Sequence, residues 1–411
     1  MDLLMSRMPY QLTLEVESAY NRRWDELAPV YDAYGFDSAG KEYVKVHRQR
    51  FFYTLDLIPR TSGLRILELG AGPYGFTTMM TQGLDRPELV LCHHVGGHFG
   101  DTVQIPASVP GFKDLQFPAR QFNIESERWP LESGKFDVVL CMEILEHLLL
   151  DPYTVFSEAR RVLAPGGKFI LTTPNIASFV GLQAMLEIRS PYTYGVYSRN
   201  GSYGRHNREY VPHEIEQLGH STGFDTELLT TRDFYTSHGD ASRLLAAIKA
   251  YGDENQSHEL RGQTIVYVGR ASDRPIGPFP RDLYDFDPTA HRCGLRFAQP
   301  PEWKAPHRIS LVVIAENLGT TTWRESDRIR LGVRLHARNS GALFDIARSQ
   351  LKAEVAPGTE YRFELEIDLA KAIAEHPTLD EIVVDMVHEQ VTWFTDVIGF
   401  NVPLKIPVAS R

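Results

Sequence analysis

The chain has 411 residues, 43% of them hydrophobic and 23% charged, with a net charge of −10. That length accommodates two domains and a sizeable core, and the acidic balance argues against nucleic acid as the main partner, because a polyanion needs a basic face. Three scattered cysteines, Cys92, Cys141 and Cys293, form neither a metal-binding pair nor a disulfide framework, which favours a reducing cytoplasm.

The first residues lack a basic segment followed by a long apolar core, so no secretory signal is evident. No apolar run reaches membrane-spanning length. Residues 1–60 read as a helical cap, with Tyr20, Trp24, Leu27 and Tyr31 at helical spacing. Ile66, Leu67 and Leu69 then form a short apolar run of the buried parallel-strand kind. Gly70, Gly72 and Gly75 follow as a turn that lets a backbone approach a ligand closely, and the next helix would aim its free N–H groups there. A G-x-G-x-x-G alone is a weak signal. A dinucleotide site wants an acid about 20 residues on, after the second strand. Glu88 precedes that strand, Leu89–Cys92, which ends in His93 and His94. Glu68, two residues before the first glycine, instead suits a positively charged ligand.

The stretch from Asp101 to Arg120 is rich in Pro, Gly and polar residues and is expected as a loop. Phe136–Cys141 is a strong buried-strand pattern, and Met142–Leu148 follows it directly. A helix is expected over Asp151–Leu163, a turn at Ala164–Gly167 and a strand over Lys168–Thr173. Such repeats make a doubly wound, mostly parallel α/β sheet. The segment Arg189–Arg208 carries Tyr192, Tyr194, Tyr197 and Tyr203. It is read either as a sugar-stacking loop or as one held down by its own tyrosines. Phe179–Ile188 is a lid helix or core.

The first domain is expected over residues 61–270, with a Pro-rich linker over 271–284. Residues 285–411 alternate apolar and polar positions, as in Arg308–Ile314 and Tyr361–Ile367, and read as a smaller all-β sandwich. Trp323 and Trp393 are read as its core tryptophans, with carbohydrate platforms as the alternative. The sandwich is similar to immunoglobulin-like modules attached to bacterial polysaccharide enzymes, which implies glycan binding, self-association or a biosynthetic partner.

The residues Glu68-Leu-Gly-Ala-Gly72 resemble motif I of class I methyltransferases that use S-adenosylmethionine (SAM). The run from Phe136 through Arg161-Val-Leu-Ala-Pro-Gly-Gly-Lys168 to Asn175 resembles the second half of the same family. The resemblance covers Trp24 to Leu229 and implies a Rossmann-like fold. It assigns the cofactor to Glu68, Gly70, Ala71, Gly72, Gly75 and Met142. Asn123 and Ile124 are assigned to the adenine, and Tyr31 to a lid. The family's ribose-binding acid is missing at His93-His94.

Methyl transfer to a hydroxyl needs the nucleophile aligned and its proton removed, by a general base or by a metal that lowers the hydroxyl pKa. Glu143, Glu146 and His147 stand at i, i+3 and i+4 just past a strand tip, and share a face if a helix has begun there. Such a set can hold Mg²⁺ or Mn²⁺, or a softer metal. The triplet resembles the metal site of ubiquinone-pathway O-methyltransferases and, with His206, that of small-RNA 2′-O-methyltransferases. Without metal, His206 or His147 becomes the base, and Glu143 merely lines the cofactor pocket. The string Tyr203–Tyr210 is similar to methyltransferases of bacterial polysaccharide and glycolipid assembly, which implies a saccharide or glycolipid acceptor. The alternatives are a quinone-like phenol, a lipid or an RNA ribose, and a non-catalytic scaffold.

Overall fold

The computed structural model describes residues 12–33, 38–72, 74–93, 102–104, 116–125, 128–192, 197, 202–235, 244, 246–248, 250, 260–273, 288–337, 342–375, 379–397 and 401–408. The chain divides into two compact units, Met1–Pro280 and Arg281–Arg411.

Among the described residues the first unit is built on eight strands: β1 (Arg65–Leu69), β2 (Glu88–His93), β3 (Thr102–Gln104), β4 (Gln116–Gln121), β5 (Phe136–Met142), β6 (Leu163–Pro174), β7 (Phe224–Arg232) and β8 (Thr264–Ala271). Their order is β3-β4-β2-β1-β5-β6-β8-β7. The five central strands β4, β2, β1, β5 and β6 run parallel. β3 joins β4 antiparallel, β8 joins β6 antiparallel, and β7 closes the far edge antiparallel to β8. The apolar runs Ile66–Leu67 and Val138–Cys141 are fully buried, as a strand covered on both faces requires.

Helices lie on both faces. α1 (Leu14–Ala33), α2 (Ser38–Leu57) and α3 (Gly75–Gly83) contribute Tyr20, Phe52, Leu55 and Met79 to one core with Ile66, Leu140 and Ile170. Trp24 and Leu27 pack against it. Phe169, the neighbour of Ile170, points the other way and meets Phe156 of α4 (Tyr153–Val162) edge-on, with ring centroids 5.1 Å apart. α5 (Phe179–Leu186) and α6 (Pro212–Ser221) follow β6. No described helix is long and apolar enough to cross a membrane.

Two expectations change. The stretch 101–120 contains β3 and β4; Phe117 and Ala119 alternate inward beneath an uninformative composition. The strand expected from Lys168 starts at Leu163 and carries Gly166 at φ +75. The condition under which Glu143, Glu146 and His147 would share a helix face is not met, since only a three-residue 3₁₀ turn, Leu145–His147, forms there.

The second unit has two antiparallel sheets. One joins β9 (Cys293–Phe297), β10 (Glu302–Ala305), β11 (Arg308–Asn317) and β14 (Glu360–Asp368). The other joins β12 (Ile329–Ala337), β13 (Leu343–Gln350), β15 (Leu379–His388), β16 (Thr392–Trp393) and β17 (Leu404–Pro407). Alternate residues of both, such as Leu311, Val313, Leu331, Val333 and Val384, belong to one apolar core. Trp323 lies in that core at 0% exposure, so it offers no platform to a sugar. Trp393 is half-buried, and the guanidiniums of Arg334 and Arg348 stand 3.9 and 4.5 Å from its ring centroid.

Candidate active site

Strand register decides where the site forms. Leu69 pairs with both Cys92 and Cys141, and Cys141 pairs with Leu171. The carboxyl ends of β2, β1, β5 and β6 therefore finish in one row, at the point where strand order reverses about β1. Ligands of open α/β sheets collect there. Gly70, Met142–Glu143 and Thr172–Thr173 stand along that edge.

The glycine turn is shaped by close approach. Gly70 has φ +63, and a Cβ there would meet Ile144 Cδ1 at 2.1 Å. A Cβ on Gly75 would meet Val44 Cγ2 at 2.4 Å, so the helix can lie against α2 only without one. At Gly72 nothing lies within 4 Å, because that position faces a cavity of about 420 Å³. Ala71 is buried under the turn.

A second, small pocket of about 20 Å³ shares Gly70 and Gly72 with this cavity and is lined by Glu68 and Arg50. Glu68 is buried, accepts from Thr77 Oγ1 at 2.6 Å, and is pushed by burial up to about 8. Arg50, from α2, is 1% exposed. Its Nε donates to the Tyr235 hydroxyl at 2.7 Å, and its terminal nitrogens make only 3.4 Å contacts with Thr172 Oγ1 and His47 Nδ1. Burial, and then the Arg50 charge, push His47 down to about 3, so its ring stays neutral. No carboxylate among the described residues lies within 4.0 Å of this buried guanidinium. Glu143 and the Tyr235 and Tyr43 hydroxyls stabilise the Arg50 charge electrostatically; a carboxyl on one side and this guanidinium on the other match a zwitterionic amino acid group. The sequence reading missed Arg50. Arg50 stands on the side of α2 shared with Tyr43, His47 and Thr54 rather than on the apolar face of Val44, Phe51 and Leu55, so the apolar pattern did not single it out.

The main cavity is lined by Asn123, Ile124, Met142, Glu143, His147 and Tyr203, among others. Asn123 Oδ1 accepts from the Glu125 amide at 2.9 Å, so the carbonyl expected to meet an adenine already holds its own turn. Glu125 is buried and accepts from the amides of Leu149 and Leu150, both at 2.6 Å. Burial, and then its hydrogen bond to Glu125, raise the Tyr203 hydroxyl above its ordinary value, and Asn123 is a further partner. Of the loop tyrosines, Tyr203 alone lines this cavity among the described residues. Tyr194, His94 and the side chains of Tyr31 and His93 lie outside the described residues.

Glu143 has φ +53, costly for a residue with a Cβ. Its amide donates to the Thr172 carbonyl at 2.8 Å, and its Oε1 is buried with no hydrogen-bond partner. This kink takes Glu143 out of helical register with Glu146 and His147, so it stands apart from the cluster next to it.

That cluster is Glu146, His147 and His206, whose ligand atoms all lie within 4.8 Å of one another. Glu146 is 1% exposed. Its Oε2 accepts from Thr173 Oγ1 at 2.9 Å, and its Oε1 lies 3.8 Å from His147 Nε2 and 4.0 Å from His206 Nε2. Burial, and then the Glu143 charge, hold the Glu146 carboxyl well above 4.5. Burial lowers His147. His147 Nδ1 donates to the Arg205 carbonyl at 2.9 Å, and His206 Nδ1 lies 2.7 Å from Glu209 Oε1. Both rings thereby turn Nε2 towards the buried carboxylate. Metal–ligand bonds of about 2.1 Å put neighbouring ligand atoms roughly 3.0–3.5 Å apart. The two Glu146–histidine separations need a contraction of about 0.3–1 Å, and the two Nε2 atoms, within 4.8 Å of each other, up to more than 1 Å, so it is the donor types that suit a divalent cation and the ligands would have to draw in around it. Glu209 was not singled out in sequence; its signal is the His-x-x-Glu spacing.

Residues 88–171, from β2 to β6, match the family model described as "Methyltransferase domain". A "Ubiquinone biosynthesis O-methyltransferase" of Xanthomonas oryzae pv. oryzae is 30% identical over 162 residues, 38% of this chain and 57% of that protein. An "Uncharacterized 37.1 kDa protein in transposon TN4556" of Streptomyces fradiae is 38% identical over 157 residues, 37% of this chain and 43% of that protein. The chain thus spans about half the length of these curated relatives. A solved S-adenosylmethionine-dependent methyltransferase from Mesorhizobium loti aligns over 55% of this chain and 97% of its own, with 15% identity and a TM-score of 0.33. The match over residues 88–171 and the relative named as an O-methyltransferase support a SAM-dependent methyltransferase domain in this part of the chain.

Proposed function

We propose that the protein is an O-methyltransferase whose acceptor hydroxyl is activated at Glu146, His147 and His206. The observation that carries this reading is their convergence at the carboxyl end of β5, beside the cavity under the glycine turn. A bound sulfonium cofactor would supply an electrophilic methyl group for the acceptor oxygen, with a neutral thioether as the leaving group. The protein's part is alignment and proton removal. Glu68 takes the cofactor's ammonium and Arg50 its carboxylate. Gly72 lets the chain approach, and Ile124 and Met142 pack the adenosine.

A divalent cation held by Glu146 Oε1, His147 Nε2 and His206 Nε2 would lower the pKa of a hydroxyl bound to it. Two imidazoles and one carboxylate suit Mn²⁺ or a softer first-row ion better than Mg²⁺, which prefers oxygen ligands. Without metal, the same Nε2 atoms present lone pairs to an acceptor proton, so His147 or His206 would serve as base.

The acceptor we favour is a sugar hydroxyl of a saccharide or glycolipid, on the resemblance of Tyr203–Tyr210 and on Tyr203 at the cavity wall. The C-terminal unit, read as an immunoglobulin-like sandwich, would bind the glycan chain or a partner. A quinone-like phenol is the second reading. Its support is the relative named as a ubiquinone-biosynthesis O-methyltransferase.

The test incubates the full chain with methyl-labelled SAM, with and without Mn²⁺, against sugars with vicinal hydroxyls and against catechols. Label transfer to a sugar, lost in Glu146→Gln, supports the first reading, and transfer to the catechol alone supports the second. Transfer to neither, from a protein that binds SAM, would sink both.

A further inference from the structure

Segment 205–209 touches Glu146 and His147 at every turn. The Asn207 amide donates to the Glu146 carbonyl at 2.7 Å, and Asn207 Nδ2 donates to the His147 carbonyl at 2.9 Å. The Arg205 carbonyl accepts from His147 Nδ1, as described above. Glu209 completes the set from beneath His206. It is 3% exposed and its Oε1 lies 2.7 Å from His206 Nδ1.

We propose that Glu209 is a positioning residue that locks His206 as the Nδ1–H tautomer, with the Nε2 lone pair turned to Glu146 and His147. The carboxylate can only accept, so the proton between them belongs to Nδ1. In the neutral ring the lone pair is then on Nε2, 4.0 Å from Glu146 Oε1. A free imidazole has no such constraint, and its other tautomer would aim an N–H at the site. Outer-shell carboxylates of this kind set ring orientation at metal-ligating histidines. The inference rests on the site proposed above, yet holds whether His206 binds a cation or takes a proton, since both need the Nε2 lone pair.

The test is ¹⁵N NMR of the full-length protein labelled at histidine, with His206 assigned from His206→Gln, alongside Mn²⁺ binding followed by EPR. In the wild type His206 should give the Nδ1–H pattern. Glu209→Leu should shift it towards Nε2–H and weaken Mn²⁺ by about 10- to 100-fold, with SAM affinity unchanged. Glu209→Gln keeps an acceptor, so it should retain the tautomer and lose less than about tenfold. Wild-type His206 carrying its proton on Nε2 would overturn the proposal, even if the leucine variant failed to fold. So would a folded Glu209→Leu with an unchanged tautomer. A wild type that ignores Mn²⁺ would remove the metal reading alone, and the tautomer would still decide the role of Glu209.

Discussion

Binding of SAM should release a proton from Glu68. The carboxyl is buried beneath the glycine turn, and burial raises it to about 8 against an ordinary 4.5. At pH 7 the free protein therefore holds roughly 0.9 proton there. An ammonium group in the narrow space between Glu68 and Arg50 stabilises the charged carboxylate and expels that proton. The cofactor's own amine, with an ordinary value near 7.7–8.0, takes up roughly 0.1 proton at pH 7. The net release is about 0.8 proton at pH 7, should vanish near about pH 8, where uptake by the amine matches the loss from Glu68, and should become a net uptake above that. Titration calorimetry in buffers of different ionisation enthalpy measures it directly, as the slope of observed against buffer enthalpy. Glu68→Gln should abolish the release and flatten the rise in affinity between pH 6 and 7.5. A wild type that releases less than about 0.2 proton at pH 7, or a glutamine variant that releases as much, would refute the assignment.

Gly72→Ala should weaken SAM by at least about tenfold while moving the melting temperature by less than roughly 2 °C, because its methyl enters the cavity and meets no protein atom. Gly70→Ala, at φ +63 and 2.1 Å from Ile144, should lower the melting temperature by several degrees as well; equal melting temperatures for the two variants would contradict this. Arg50→Met should weaken SAM by about 10- to 100-fold, and calorimetry with the decarboxylated cofactor should find a loss under about threefold. Equal losses for both ligands would mean that Arg50 does not hold the carboxylate. Glu146 is raised by burial and by Glu143, so the metal-free fold keeps a proton that the unfolded chain loses above about pH 4.5. Its stability is therefore full below that value and falls as pH rises. In chelator at pH 8, Glu146→Gln should melt at least about 3 °C above the wild type, and the two should converge near pH 5. A lower melting temperature for the variant at pH 8 would count against the buried, uncompensated carboxylate.

Elements with a strong apolar signature were legible. Ile66–Leu69 and Phe136–Cys141 became central strands because apolar residues dominate them, each with a single acid, Glu68 or Asp137, and the glycines after Leu69 marked the turn. Strands β3 and β4 were not legible. Pro118 and the surrounding polar residues hide the alternation of Phe117 and Ala119, and pairing at the sheet edge overrides the composition. Glu146, His147 and His206 could be named in advance, but not their geometry. A helix would place Glu143 on their face, and the left-handed backbone at Glu143 removes it. Arg50 and Glu209 were hidden for another reason. Each works through a partner distant in sequence or behind a ring, and residue type alone does not reveal such a pairing. Trp323 illustrates the reverse: read as a core tryptophan of a sandwich, it lies in the core at 0% exposure.

The most direct test of the central claim is crystallographic. Crystals of the full chain soaked in Mn²⁺ with S-adenosylhomocysteine, measured at a wavelength where manganese scatters anomalously, need no knowledge of the acceptor. The account predicts an anomalous peak within roughly 2.5 Å of Glu146 Oε1, His147 Nε2 and His206 Nε2, with the thioether in the cavity beside it. A bound thioether with no peak at those atoms, or with the imidazoles turned away from Glu146, would contradict it.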